Sequence, residues 1–527
     1  MKNILFTVSL AFLFLSLLIS GANAQDQGIV LRAQQSWETY GVGTTCISGS
    51  NNLFVGDVDD DGVVEILSGG FMYNLVNGSR SGTQAPLMIW NWNGENVTLE
   101  LSYKWPGNIR SVYGADLNGD GKIEVITAGT YRNETGTYNS IRIWHWDNEE
   151  LSLKAHYEGI AVTAVYVQDL DGDGSPELIT VGRIQKDSIV TAQLSLFKFS
   201  NELKLIDTMQ LDSASVTNAN SVFASDLDNN GEVEIVVGGY SDFLNNSKGQ
   251  VSIWHWKNGD FTLKENKQWQ LVEGGYALTI AGGVQGNTIV NNVKAADLDG
   301  DGSKELVTGG FTWDEERVLA QIKVLAWDGS TLVERDSQEW ADDYLTEVKS
   351  ISIYDVDGDG KNNVVSSGTI AAAGSFNNSS AVSDRGQLKV WTWADQSLTF
   401  KDGAQWSMFD GICAWNVAAF DIDGSGNAEM VTLGCMGKDS LCDPNMRIWA
   451  LPQTSTTADN TIYIILGVLI LAFSLGALLF WKRQKNLSLT LQVNLPKSNH
   501  SNTYSLWQGW SIPIDQFACF CVCRCQK

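Results

Sequence analysis

The residues best suited to chemistry are acidic and recur in one pattern. In Asp-Leu-Asp-Gly-Asp-Gly-Ser-Pro-Glu (Asp169 to Glu177), carboxylates hold the first, third, fifth and ninth positions and glycine the sixth. Hard cations such as Ca²⁺ take about six to eight oxygens at about 2.3–2.6 Å, and alternating acids on a tight loop supply them. An EF-hand would close with a glutamate at position twelve between two helices. In this chain the acid comes at nine and a strand-like Leu-Ile-Thr-Val-Gly (178–182) follows. The pattern is that of a calcium loop set inside a β-hairpin.

The loop occurs seven times, beginning at Asp57, Asp116, Asp169, Asp226, Asp297, Asp355 and Asp421, at intervals of 59, 53, 57, 71, 58 and 66 residues. Units of that length signal a repeat architecture whose apolar faces are buried only against neighbours. Each unit reads as four strands. The first runs into the loop, as in Val112 to Asp116, and the second leaves it, as in Glu124 to Gly129. The third carries alternate aromatics, as in Trp144-His145-Trp146 and Trp391-Thr392-Trp393, and tight turns such as Asn258-Gly259 lead to the fourth. Period-two alternation and Asn-Gly hairpins are strand signals. Tryptophans two apart share one strand face, which assigns them to a core between units. The last unit ends at its third strand (Met446 to Trp449), and Val30 to Trp37 resembles the fourth strand Leu398 to Trp406. The N-terminal strand is therefore expected to complete the last unit and close a ring without exposed edges.

In these features, from Ile29 to about Leu451, the chain resembles the FG-GAP (VCBS) repeat propellers found at the head of integrin α chains. The resemblance implies an all-β, seven-bladed β-propeller over residues 25–451. It further implies that the side chains at positions one, three, five and nine, with the carbonyl at seven, hold Ca²⁺. Carried over, the first site is Asp57, Asp59, Asp61, Val63 and Glu65, and the second is Asp116, Asn118, Asp120, Lys122 and Glu124. The third is Asp169, Asp171, Asp173, Ser175 and Glu177, the fourth Asp226, Asp228, Asn230, Glu232 and Glu234, and the fifth Asp297, Asp299, Asp301, Ser303 and Glu305. The sixth (Asp355, Asp357, Asp359) ends in Asn363, and the seventh (Asp421, Asp423, Ser425, Glu429) has serine at its fifth place, so weaker binding is expected at both. The calcium is expected to be structural, offsetting carboxylate repulsion and stiffening each hairpin.

The ends of the chain read as sorting segments. Residues 1–24 carry a charged start, an apolar run and Ala22-Asn23-Ala24, as a secretory signal does. Residues 452–461 form a short stalk, 462–481 are uncharged and long enough to span a bilayer, and Lys482, Arg483 and Lys485 open a tail at 482–527. The expected placement is a single-pass cell-membrane protein with its N-terminal domain outside and its loop face turned away from the membrane. Of the net charge of −26, the signal contributes +1 and the segment after Trp481 +5, which leaves −32 on the domain between them. So acidic a domain repels nucleic acid and anionic lipid.

Four cysteines in the domain allow three pairings, of which Cys46 with Cys413 and Cys435 with Cys442 are expected. Sequons place glycans at Asn77, Asn96, Asn133, Asn245, Asn377 and Asn378. No catalytic constellation stands out around His145, His156 and His255. The expected function is adhesion or recognition of an extracellular protein or glycan without catalysis. The alternatives are a calcium-dependent polysaccharide-binding or lyase-like propeller and a scaffold subunit.

Overall fold

A computed structural model describes residues 28–452 apart from 37–42, 47–50, 77–78, 187–188, 212–215, 244–245, 272–277, 281–282, 286–287, 373–384, 408–411 and 437–442. The signal, stalk, apolar run and tail lie outside the described residues, as do Asn77, Asn245, Asn377, Asn378 and Cys442. The described chain is all-β, and its strands fall into seven antiparallel sets of four. Val162–Gln168, Glu177–Lys186, Ile189–Phe199 and Leu203–Leu211 make one such set in sequence order. The last set takes its fourth strand from the other end of the chain, since Val30–Ser36 pairs with Asp443–Ala450.

Two joints fuse neighbouring sets into larger sheets. Val97–Ala115 is one strand that pairs with Ser79–Trp92 over its first half and with Glu124–Arg132 over its second. Gly107 sits at the changeover with φ 146°, where a Cβ would lie 1.9 Å from the Thr130 carbonyl oxygen. Between the fifth and sixth sets a single parallel pair, Val318 with Leu345, makes the join. Phe71–Val76 and Ser79–Trp92 form a hairpin that Gly43–Cys46 extends.

The core lies between sets. Leu67, Leu87 and Ile89 of the first pack with Ile109, Val125 and Trp144 of the second. Ile66, Met88, Trp90 and Trp92 of the first also pack with Ile422, Val431, Leu433 and Ile448 of the last. Apolar residues that alternate along each strand therefore face neighbours on both sides, and first and last sets share a core. The paired tryptophans belong to these cores. The indole N–H groups of Trp90, Trp144, Trp391 and Trp449 each donate to a hydroxyl on the second strand of their own set, at 2.9–3.1 Å. A buried indole gains from such a partner, and in these four sets a Ser or Thr at that strand position supplies it.

Candidate functional sites: acidic loops and a cationic cavity

Seven loops share one hydrogen-bond pattern. The backbone N–H of position two donates to the side chain at nine, from Val58 to Glu65 at 2.9 Å through to Ile422 to Glu429 at 3.0 Å. The N–H of the glycine at six donates to the first Asp, at 2.7–2.9 Å in every copy. That glycine has φ of 83–93°, a left-handed conformation that costs a residue without a Cβ nothing. In the sixth loop Asn363 accepts from Val356 at 3.0 Å, so the amide reproduces the glutamate's structural bond without its charge.

The carboxylates converge. One oxygen from each of Asp57, Asp59 and Asp61 lies within 4.8 Å of the others, as do Asp226, Asp228 and Glu234, and Asp297, Asp299 and Glu305. The closing glutamates are buried, Glu177 and Glu234 at 0 % exposure. Burial pushes the Glu65 carboxyl up to about 8 and that of Glu429 to about 7, and raises those of Glu124 and Glu305. Asp228 and Asp421 each hold a buried oxygen that receives no hydrogen bond among the described residues. Oxygen-only donors, crowded and partly unpartnered, fit a hard cation.

Three loops also receive a basic side chain. Lys198 Nζ lies 2.7 Å from Asp173, 2.8 Å from Glu177 and 3.5 Å from Asp171. Burial disfavours its charge, but the bonds to Asp173 and Glu177 outweigh that and raise its pKa. In the fourth loop His255 Nε2 lies 2.8 Å from Glu234, and in the sixth Lys401 meets Asp357. Lys198 and His255 hold the middle place of the third strand, between Phe197 and Phe199 or between Trp254 and Trp256. Alternation turns that place away from the aromatic face, toward the loop.

The opposite ends of the leading strands surround a cavity of about 560 Å³. Six of the strands that run into the loops carry a β-bulge there, and the residues at which the strand register shifts are Arg110, Thr163, Asn220, Asn291, Lys349 and Trp415, all lining the cavity. Each lies six residues before the first Asp of its loop, and Asn51 holds the same place in the first unit. Asn51 Nδ2 donates to the Asn220 carbonyl at 3.0 Å, Asn220 Nδ2 to Val290 at 2.9 Å and Asn291 Nδ2 to Val348 at 2.7 Å. Sequence reasoning missed this ring because its residues share a position and not a type. Stepping back six residues from each loop would have found it.

The remaining expected sites stand as follows. Cys413 stands opposite Cys435 in the register of adjacent strands, and Cys46 stands opposite Phe71. Asn96 and Asn133 are exposed on turns, where Asn133 Oδ1 accepts from the N–H groups of Thr135 and Gly136.

Two family models match. An FG-GAP-like repeat model matches residues 116–180, which hold the second and third loops and the strands between them. An LPXTG cell wall anchor model of Gram-positive type matches residues 450–486. No curated protein matches the chain. The anchor match corrects the expected single-pass cell-membrane placement, since it indicates covalent attachment to a cell wall. An apolar run with a basic flank is common to both kinds of segment; the difference lies just upstream, in Leu451-Pro452-Gln453-Thr454, with Ser455 where the motif has glycine. Among the described residues no helix is long and apolar enough to cross a membrane. With its loops, strands and repeat match taken together, the chain is an FG-GAP repeat protein carrying a surface-anchoring segment.

Proposed function

We propose that this is a surface-anchored recognition protein whose seven strand sets form a calcium-stiffened, seven-bladed β-propeller that captures a ligand outside the cell without catalysing its conversion. The observation that carries the reading is the division of labour along the leading strands. One end repeats a near-identical acidic loop seven times, and the other presents one residue from every unit to one cavity, with five residue types across the seven positions. Uniformity at one end suits a structural role, and variety at the other suits selection of a partner. The core shared by first and last sets supports ring closure.

Calcium bound at the loops would be held by the side chains at one, three, five and nine, and would supply positive charge against crowded carboxylates. The loop backbone already fixes those side chains in place through the glycine and position-two bonds. A ligand that binds only the folded state stabilises it by about 2.7 kcal/mol per site at a hundredfold excess over Kd. The test is a thermal melt and a glycan and protein array, both run with calcium and with chelator. A melting temperature and an array profile indifferent to chelator would remove calcium from the reading. An array with no specific partner under either condition would remove recognition.

A further inference from the structure

We propose that the cavity ringed by the bulged residues is a binding site for a carboxylated sugar, a uronate unit, with Arg110 and Arg183 on its carboxylate and one of the lining aromatics, Trp415, Tyr240 or Phe71, against its ring; this rests on reading that end as the recognition surface and names what it takes. The charge at the cavity opposes that of the molecule. The chain carries −26 overall, yet Arg110, Arg183 and Lys349 line this space and, among the described residues, no Asp or Glu does. Lys349 is answered by Glu347 at 2.8 Å and lies 4.6 Å from the Trp415 ring centroid. Neither guanidinium has a hydrogen bond or ion pair among the described residues. Burial lowers the Arg110 pKa, and the like charge of Arg183 lowers it further. Two planar guanidiniums held near each other without an acid form a fork that suits a carboxylate bidentately.

The rest of the wall selects among anions. An inorganic anion would use the guanidiniums alone. A sugar acid also uses the amides of Asn108 and Asn218 and the hydroxyl of Thr163 for its own hydroxyls, and its apolar ring face suits an aromatic side chain of the lining. The volume of about 560 Å³ lies in the range of small-molecule sites and suits one or two sugar units. Asn220 and Asn291 are already fixed by backbone carbonyls of the next set and Asn51 by that of Asn220 in the fourth, so little of the wall must be ordered on binding.

The test is calorimetry on the calcium-saturated full chain with digalacturonate, its neutral disaccharide analogue, glutamate and inorganic phosphate. Digalacturonate should bind, and the other three should bind at least about tenfold more weakly. Arg110→Gln and Arg183→Gln should each weaken binding roughly ten- to hundredfold while the calcium titration stays unchanged. Arg183 is exposed, so its variant remains informative should Arg110→Gln not fold. Absence of digalacturonate binding at millimolar concentration, equal binding of the neutral sugar, glutamate or phosphate, or full binding by a folded Arg183→Gln would each overturn the assignment. A chelator melt on the same sample reports separately on the calcium loops, so failure of one reading leaves the other standing.

Discussion

At the scale of single residues, Lys198 reverses the ranking that motif quality suggests. The third loop carries the full set of four carboxylates, as the first and fifth do, but an ammonium already lies among Asp171, Asp173 and Glu177. A divalent ion there must displace it or face its charge. Lys198→Met is expected to raise the third loop's calcium affinity by about tenfold or more, read as an added or tightened step in calorimetric titration. The closing glutamates give a pH prediction. Their folded-state pKa lies above the ordinary 4.5, at about 8 for Glu65 and about 7 for Glu429. The metal-free native state therefore binds protons more tightly than the unfolded chain. That contribution is fully present below pH 4.5 and is lost as pH rises through 7 and 8. With chelator present the melting temperature should fall across that window, and saturating calcium should flatten the fall. A metal-free melting temperature that rises over the same range would contradict this account. The loops were legible residue by residue because their chemistry needs fixed types at fixed spacing. Lys198 was not, since only strand pairing brings residue 198 to residue 177.

At the scale of elements, the recurring device is a bulge opposed by a glycine. Gly129, Gly182, Gly239, Gly310 and Gly368 each face the residue before a bulge and lie thirteen residues after the first Asp of their loop. At Gly182 a Cβ would come within 1.7 Å of the Ala161 carbonyl oxygen, and at Gly368 within 1.8 Å of that of Glu347. The strands approach so closely there that the extra residue is turned out of the ladder and into the cavity. Gly182→Ala should destabilise the protein by about 1–3 kcal/mol, measured by urea unfolding, and should disturb the cavity more than the loops. Strand number, turn positions and the tryptophan faces could be read from alternation and Asn-Gly pairs. The bulges could not, because the bulged position is held by Arg, Thr, Asn, Lys or Trp in different units and so carries no signal of residue type. The hairpin at 71–86 was likewise hidden, since Asn, Gly and Ser in that stretch read as loop.

At the scale of the molecule, Val30–Ser36 is the piece on which completion depends. Deleting it would leave Asp443–Ala450 with one bare edge. The expected result is aggregation or early proteolysis of a chain that still binds calcium, seen by size-exclusion chromatography and limited digestion. Deleting residues 450–486 should release the protein from the cell envelope into the medium, checked by fractionation. The anchor was misread in sequence because its apolar run satisfies the length rule for a membrane span.

The strand Asp443–Ala450 lies between two partners, Glu429–Met436 on one side and Val30–Ser36 on the other. The anchor match begins at Ala450, the last residue of this strand. Tension on a tethered molecule is therefore applied along a strand hydrogen-bonded on both flanks, and detaching it means shearing two ladders at once. In flow, the grip of such a protein would be set by that doubly clamped strand, and trimming the N-terminus would weaken its mechanical hold at the far end of the chain.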